Sequence, residues 1–407
     1  MKKIALLVLC CAALLQAAPP IVEASKAGMD AERLARISAR MKEYVDRGEL
    51  AGVVTLVSRH GVTAALDAHG WADVLGKKAM KTDSIFQIMS MTKPVCGMAI
   101  MMLVEEGKLA LTDPVEKHLP EFRGQMMVAS RDNDTVTLKK PSRPMWVRDL
   151  MTHTSGLPGA PPPGLAELYQ RMDMTLADAV RIYSQMPLNF EPGTVWQYSN
   201  TGIATLGRLV EVASGMPFEK FLDTRIFQPL GMKDSFIFPP ADKVDRIVIV
   251  HQGKDGRLVD APATILGGDS RLHRKGAKYS APEFGLHSTA QDLAAFYNMM
   301  RAGGVHQGKR LLSSASVKVA TTMHTGDIKA GHLPGTGFGL TWEVTRVPMG
   351  TLNLMSIGSF GHGGAFGTHG WIDPEKDLVG VFLIQHTGLS SNAKQVFMGM
   401  AAAAIHE

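Results

Sequence analysis

The stretch "FQIMSMTKPVCGMAI", residues 86–100, sets Ser90 three positions before Lys93 at the head of a long apolar run. Residues three apart share a helix face, so a helix beginning here brings the Lys93 amine to the Ser90 hydroxyl. A serine hydroxyl is a weak nucleophile until a neighbour takes its proton, and a desolvated lysine can do that. Spacing alone does not decide the matter. Ser391 and Lys394 repeat the pattern near the C-terminus, where it reads as a solvated helix start. What distinguishes the first copy is its sequel. Pro94 to Val104 is apolar on all sides, the mark of a buried helix, here ending at Gly107. Pro94 is tolerated only in the first turn, where its missing N–H costs little, and this places the helix start close to Ser90. A helix N-terminus beneath the serine favours developing negative charge there.

Working outward, 407 residues are comfortable as two domains. The net charge of +5 includes Lys2 and Lys3 and comes without a Lys/Arg block, which gives nucleic-acid binding little support. "MKKIALLVLCCAALLQAAPP" pairs two lysines with a short apolar stretch and small residues at Ala17 and Ala18, so residues 1–18 read as a secretory signal peptide. The expected location is exported, periplasmic or secreted. The residues before Cys10 and Cys11 suit a lipoprotein anchor poorly, and no later stretch is long enough for a transmembrane segment. Cys96 is then the sole remaining cysteine, with no internal disulfide to make, and its apolar helix marks it as structural.

"MDAERLARISARMKEYVDRG" predicts an amphipathic helix with Leu34, Ile37, Met41, Tyr44 and Val45 on one face, Asp30 as cap and Gly48 at the end. Two β-rich runs then meet at Arg59-His60-Gly61, a hairpin signal. The middle of the chain reads as helices and loops, including "NTGIATLGRLVEVASG", with Asn200 or Thr201 at its cap, and "STAQDLAAFYNMMRAGG". Strand patterns return at "FGLTWEV", "GAFGTHGWID" and "LVGVFLIQ", followed by an Ala/Met-rich helix. The expected fold is α/β plus α: an antiparallel sheet built from both chain ends, flanked by helices, with a mainly helical domain inserted. Residues 26–85 and 335–407 would form the sheet domain and 86–334 the helical one, with the active site between them.

Two further stretches carry chemistry. Tyr198-Ser199-Asn200 offers a phenol able to act as general base when cations stabilise its phenolate. The plainer reading makes Asn200 a helix cap and Tyr198 a packed aromatic, and both can hold. "SFGHGGAFGTHG", residues 359–370, reads as a Gly-rich strand, and glycines inside a strand mark a close approach of another group to a strand edge with bare N–H groups. The backbone N–H groups of Ala365 and Ser90 would supply the two oxyanion donors that acyl transfer needs.

Ser-x-x-Lys opening a buried helix, Tyr-x-Asn about a hundred residues on and a Gly-rich stretch near the C-terminus together resemble the serine β-lactamase and penicillin-binding protein superfamily. The Tyr-x-Asn form, with "LMTHTSGLPG" and "LTDPVEKHLPEF", is similar to the class C β-lactamase branch, which includes D-aminopeptidases, D,D-peptidases and family VIII carboxylesterases. The resemblance spans roughly residues 30–400. It implies a β-lactamase/transpeptidase-like fold, Ser90 as nucleophile and Lys93 and Tyr198 sharing the proton work. It also implies Asn200, bonded to substrate or to Lys93, and His362, Gly363 and Gly364 as substrate-binding residues. No metal and no organic cofactor is required, and the partner is a small-molecule ester or amide substrate.

One departure matters. His362-Gly363-Gly364 stands where the family has Lys-Thr-Gly, so a permanent cation is replaced by a mostly neutral imidazole. That favours neutral esters over anionic β-lactams or D-Ala-D-Ala ends. A D-amino-acid peptidase is the runner-up, and an acylation-only sensor is the alternative of another class. No serine lies in Gly-x-Ser-x-Gly, His362 and His369 lack partners for a zinc site, and no helix pattern follows "GTGFGL". Met89 and Met91 beside the nucleophile read as plain core or as part of an adaptable acyl pocket.

Overall fold

The computed structural model describes residues 18–161, 171–261, 274–388 and 391–406. All of the expected signal segment except Ala18 lies outside them. Eight strands make the main sheet: β1 Gly52–Arg59, β2 Val62–Asp73, β3 Lys78–Ala79, β4 Thr336–Phe338, β5 Glu343–Thr345, β6 Phe360–Gly363, β7 His369–Asp373 and β8 Leu378–Leu383. Their order is β4-β5-β6-β7-β8-β1-β2-β3, and every neighbouring pair is antiparallel. Val54 pairs with Leu383 and Arg59 with Leu378, so the last strand closes onto the first hairpin. The sheet is assembled from both ends of the chain.

The hairpin turn is His60-Gly61, with φ of 54° and 80°. Positive φ at both central positions matches the twist of the flanking strands. The later strand patterns are broken differently from the sequence expectation. "FGLTWEV" is not one strand but the end of β4, a turn, and the start of β5. "GAFGTHGWID" is likewise a tight turn followed by β7. Thr341 (φ 68°) and Gly367 (φ 86°) take the left-handed positions of the two turns, reversals that a strand reading of the apolar residues overlooks.

Five helices frame the site: α1 Ala31–Asp46, α2 Thr92–Glu105, α3 Asn200–Ser214, α4 Ala290–Arg301 and α5 Ala393–Ala403. Asp30 caps α1 by accepting from the Arg33 N–H at 2.9 Å, and Leu34, Ile37, Met41 and Tyr44 face inward. With α5, α1 covers one face of the sheet, where Phe397 meets Trp371 and Phe382. On the other face α4 packs on β1 and β8, and Phe296 stacks on Trp342.

Beyond α4, α2 runs through the molecule buried on all sides and packs against α3. Each of Val95, Met98, Ile100 and Leu103 gains roughly 1.5–3 kcal/mol from burial, an upper estimate because unfolded chains are partly compact. Gly97 sets how close α2 sits to the β4–β5 turn. A Cβ there would stand 2.0 Å from Thr341 Oγ1, so Gly97→Val would push the nucleophile-bearing helix away. No helix of the described residues is long and apolar enough to cross a membrane.

Candidate active site

Ser90 lies in a single 3₁₀ turn, Met89–Met91, that runs directly into α2. Met89 has φ of 52°, a conformation disfavoured for a residue with a Cβ, and such strain persists only where the surroundings hold it. Here they do. Thr92 Oγ1 donates to the Met89 carbonyl at 2.7 Å and accepts from the Leu286 N–H at 3.1 Å, while Ile88 N–H donates to the Leu286 carbonyl at 3.0 Å. Met89 and Met91 are fully packed in the core, so the acyl-pocket idea for them fails.

The helical turn does what the spacing suggests. Lys93 Nζ lies 3.0 Å from Ser90 Oγ and 2.8 Å from the Glu283 carbonyl oxygen, and the lysine is wholly buried. Desolvation lowers its pKa to about 7, against the opposing pull of the Glu283 carboxylate. Burial pushes the Glu283 carboxyl up, also to about 7, while the Tyr279 hydroxyl donates to it at 2.7 Å. Glu283 was missed from the sequence because "SAPEFG" carries no motif, and only the fold brings it to Lys93. Cys96 is buried on the same helix, and desolvation raises its thiol pKa, as suits an inert structural residue.

Tyr198 leans over this pair, with Lys93 Nζ 4.7 Å from its ring centroid. Its ring is walled by His153 at 4.5 Å, His332 at 4.7 Å and His362 at 6.1 Å between centroids. The phenol is buried, which raises its pKa; the Ser90 side chain pulls the other way, although no hydrogen bond between them is formed. Next to it, the helix cap is Ser199, not Asn200 or Thr201. Its Oγ accepts from the Gly202 N–H at 3.0 Å, and Asn200 is the first helical residue. Asn200 makes no bond to Lys93, whose amine is directed to Ser90 and Glu283.

His153 is a second group that the sequence did not disclose. It is buried with φ of 59°, and its Nδ1 accepts from the Ser199 N–H at 3.1 Å. Desolvation, then the Lys93 charge, holds its pKa well below the usual imidazole range, so it is neutral with its proton on Nε2. It clamps the Tyr198–Ser199 backbone and walls the phenol at once. "LMTHTSGLPG" had marked the segment without marking the residue.

The glycine-rich stretch closes the site. Gly364 N–H donates to the Thr368 carbonyl at 2.8 Å and Gly367 N–H to the Gly364 carbonyl at 2.9 Å, so Ala365 sits exposed at the tip of a turn. The turn abuts the residues preceding Ser90: Thr368 Oγ1 donates to the Ile88 carbonyl at 3.0 Å. A Cβ on Gly364 would meet that same carbonyl oxygen at 2.3 Å, which is why a glycine stands there. His362 is 3% exposed, and its Nδ1 lies 2.7 Å from the Gly363 carbonyl oxygen. Burial, reinforced by the Lys93 charge, takes its pKa down to about 3, so it is neutral. With the proton donated from Nδ1, Nε2 carries a lone pair and has no partner among the described residues.

The structure therefore brings Ser90, Lys93, Tyr198, His362 and the Gly364–Ala365 turn together. A serine in contact with a buried lysine and beside a tyrosine is an arrangement able to carry out acyl transfer. The Beta-lactamase family model matches residues 37–405, and the chain belongs to that family, as a serine hydrolase of the β-lactamase type. It is 31% identical over 380 residues to "Esterase EstB" of Burkholderia gladioli, covering 88% of this chain and 92% of that protein. It is 27% identical over 412 residues to a "Putative D-alanyl-D-alanine carboxypeptidase" of Escherichia coli (strain K12), covering 94% and 89%. Among solved structures, "EstCE1, a hydrolase with promiscuous acyltransferase activity" superposes with a TM-score of 0.76 at 24% identity, over 92% of this chain and 99% of that one.

Proposed function

We propose that this protein is an exported carboxylesterase that works through an acyl-enzyme on Ser90. The observation that carries the ester preference is His362. A buried, uncharged imidazole presenting a lone pair offers no anchor to a substrate carboxylate, whereas a neutral ester needs none. The likeness to an esterase at 31% identity supports the same reading.

In the proposed reaction neutral Lys93 takes the Ser90 proton across the 3.0 Å contact as Oγ attacks the ester carbonyl carbon. The carbonyl oxygen becomes an oxyanion held by the N–H groups of Ser90 and Ala365. Collapse breaks the C–O bond to the alcohol, and the departing alkoxide receives a proton from the ammonium of Lys93, relayed by the Tyr198 hydroxyl. Water then attacks the acyl-Ser90 carbonyl with the same groups in reverse, releasing acid and restoring Ser90. Lys93 is the better first base because burial has lowered its pKa to about 7, while burial has raised that of Tyr198 and keeps it a proton donor. Asn200 and Gly363 are left to contact the substrate.

The test is hydrolysis of p-nitrophenyl butyrate by the wild type and by Ser90→Ala. Turnover by the first and loss of at least roughly 10⁴-fold in the second is expected for removal of a nucleophile. Turnover of D-Ala-D-Ala peptides without ester turnover would transfer the reading to the peptidase. A stable acyl adduct without release would transfer it to a sensor. Export is checked separately by sequencing the mature N-terminus.

A further inference from the structure

The three histidines around Tyr198 are not alike. His153 is fully buried and His362 is 3% exposed, whereas the His332 side chain is 47% exposed. His332 is therefore the wall on the solvent side. Its ring lies 4.7 Å from that of Tyr198 and 6.3 Å from that of His362 between centroids. Tyr198 and His362 are themselves 6.1 Å apart, so the three rings close a triangle.

An exposed imidazole is ordinarily free to turn, but this one is held. Glu343, on β5, accepts through Oε1 from the His332 N–H at 2.6 Å and from Thr336 Oγ1 at 2.9 Å, and its Oε2 lies 3.6 Å from His332 Nδ1. Burial works against the charge of this carboxyl, yet the His332 contacts prevail and lower its pKa to about 2. Gly331, with φ of 87°, lets the chain pass close by: a Cβ there would stand 2.0 Å from Thr336 Oγ1 and 2.9 Å from Glu343 Oε1. A carboxylate oxygen only accepts, so in the neutral imidazole the proton sits on Nδ1 and Nε2 presents a lone pair. His362 repeats the arrangement, with Nδ1 held by the Gly363 carbonyl and Nε2 without a partner among the described residues. The wall beside Tyr198 thus carries two neutral acceptors, while the Lys93 amine is directed at Ser90 and Glu283.

We infer that His332 is a specificity-determining residue for the alcohol half of the ester, selecting alcohols that bear a further hydroxyl. The inference rests on the proposed reaction, in which Tyr198 returns a proton to the departing alkoxide, so that the alcohol leaves on the Tyr198 side. There a hydroxyl on the carbon next to the ester linkage donates to the Nε2 lone pair of His332, with that of His362 next in line. Neutral acceptors match a neutral donor. A plain alkyl alcohol leaves them unmet, and a site built to receive a hydrogen bond discriminates against the analogue that lacks it.

The test compares 2,3-dihydroxypropyl butyrate with propyl butyrate by acid release in a pH-stat. Both form the same butyryl-Ser90, so a difference in kcat/KM belongs to the alcohol. The wild type should favour the dihydroxypropyl ester by about fivefold, the worth of one neutral hydrogen bond. His332→Phe keeps a ring against Tyr198 but removes the lone pair, and the preference should vanish. His332→Gln, whose side-chain carbonyl can accept, should recover part of it. A residue that merely props Tyr198 would lower both esters together and leave their ratio alone. That result, or a wild type without preference, overturns the inference even though p-nitrophenyl butyrate is still turned over. Failure of the wild type on p-nitrophenyl butyrate removes the ester reading itself, and this inference with it. Should His332→Phe fail to fold by circular dichroism, the wild-type ratio and the Gln variant decide.

Discussion

Two stretches of this chain carry Ser-x-x-Lys, and they differ in everything but spacing. Ser90 lies inside a 3₁₀ turn continuous with α2, so three residues of helical backbone carry Lys93 Nζ to within 3.0 Å of its hydroxyl. Ser391 lies before α5, outside the helix. Its Oγ accepts from the Ala393 N–H at 3.2 Å and donates to Glu49 at 3.3 Å, while Lys394 lies between α5 and the sheet, lining a cavity with Ser359 and Trp371. Spacing becomes geometry only when the intervening backbone is already helical. What makes it helical at residue 90 is the grip of Thr92 and Leu286 on a strained Met89.

The comparison breaks first at the lysines. Lys93→Ala should lower kcat for p-nitrophenyl butyrate by about 10³-fold or more, since the base and its entire contact with Ser90 are removed. A wild-type rate would leave Ser90 no better activated than Ser391. Next in size, Tyr198→Phe keeps the ring that the three histidines and Lys93 pack against and deletes only the hydroxyl. A loss of about 10²-fold in kcat with KM little changed marks proton relay. A rise in KM alone would make the phenol a binding group.

A smaller effect tests the tuning of Lys93. The reactive form is the free amine, so activity should fall as pH drops below about 7, the value to which burial has brought Lys93. The Glu283 carboxylate opposes that shift by favouring the ammonium. Glu283→Gln removes the charge but can still accept from Tyr279, so the pKa of Lys93 falls further. The acid limb of kcat/KM should then move to lower pH, measured from pH 5 to 9. A limb that stays in place, or moves up, would exclude Glu283 from setting the protonation of Lys93.

Most of the fold was legible because it is written in local pattern. The apolar run after Pro94, the capped amphipathic α1 and the His60-Gly61 turn each depend on neighbouring residues alone. The two late hairpins were misread as strands because their reversals, at Thr341 and Gly367, lie inside largely apolar sequence. At the site, motif and spacing singled out Ser90, Lys93, Tyr198 and the glycine-rich stretch, but Gly364–Ala365, read as strand, is a turn. Glu283 and His153 were not singled out, since their effect rests on contacts 190 and 46 residues away in sequence. Asn200 was read as a cap one residue late, because Ser, Asn and Thr in succession are all competent caps and only the backbone chooses.

The smallest effect belongs to the second serine. Ser391→Ala removes a hydroxyl that satisfies one orphan N–H at the start of α5 and bonds Glu49 across from α1. The cap position itself is Asn392, so the loss should not exceed the about 1 kcal/mol typical of a helix cap. In a chain of this length that should lower the melting temperature by no more than about 2 °C, read by differential scanning calorimetry. Hydrolysis of p-nitrophenyl butyrate should be unchanged, because Ser391 lies on the α5 side of the sheet and Ser90 on the other. A stability loss without an activity loss would assign the two identical spacings to different work, one to holding a helix end and one to attacking a carbonyl. An activity loss at Ser391 would mean that the α5 face of the sheet communicates with Ser90; Glu343 offers a link, since it accepts from the His332 N–H and His332 packs against Tyr198.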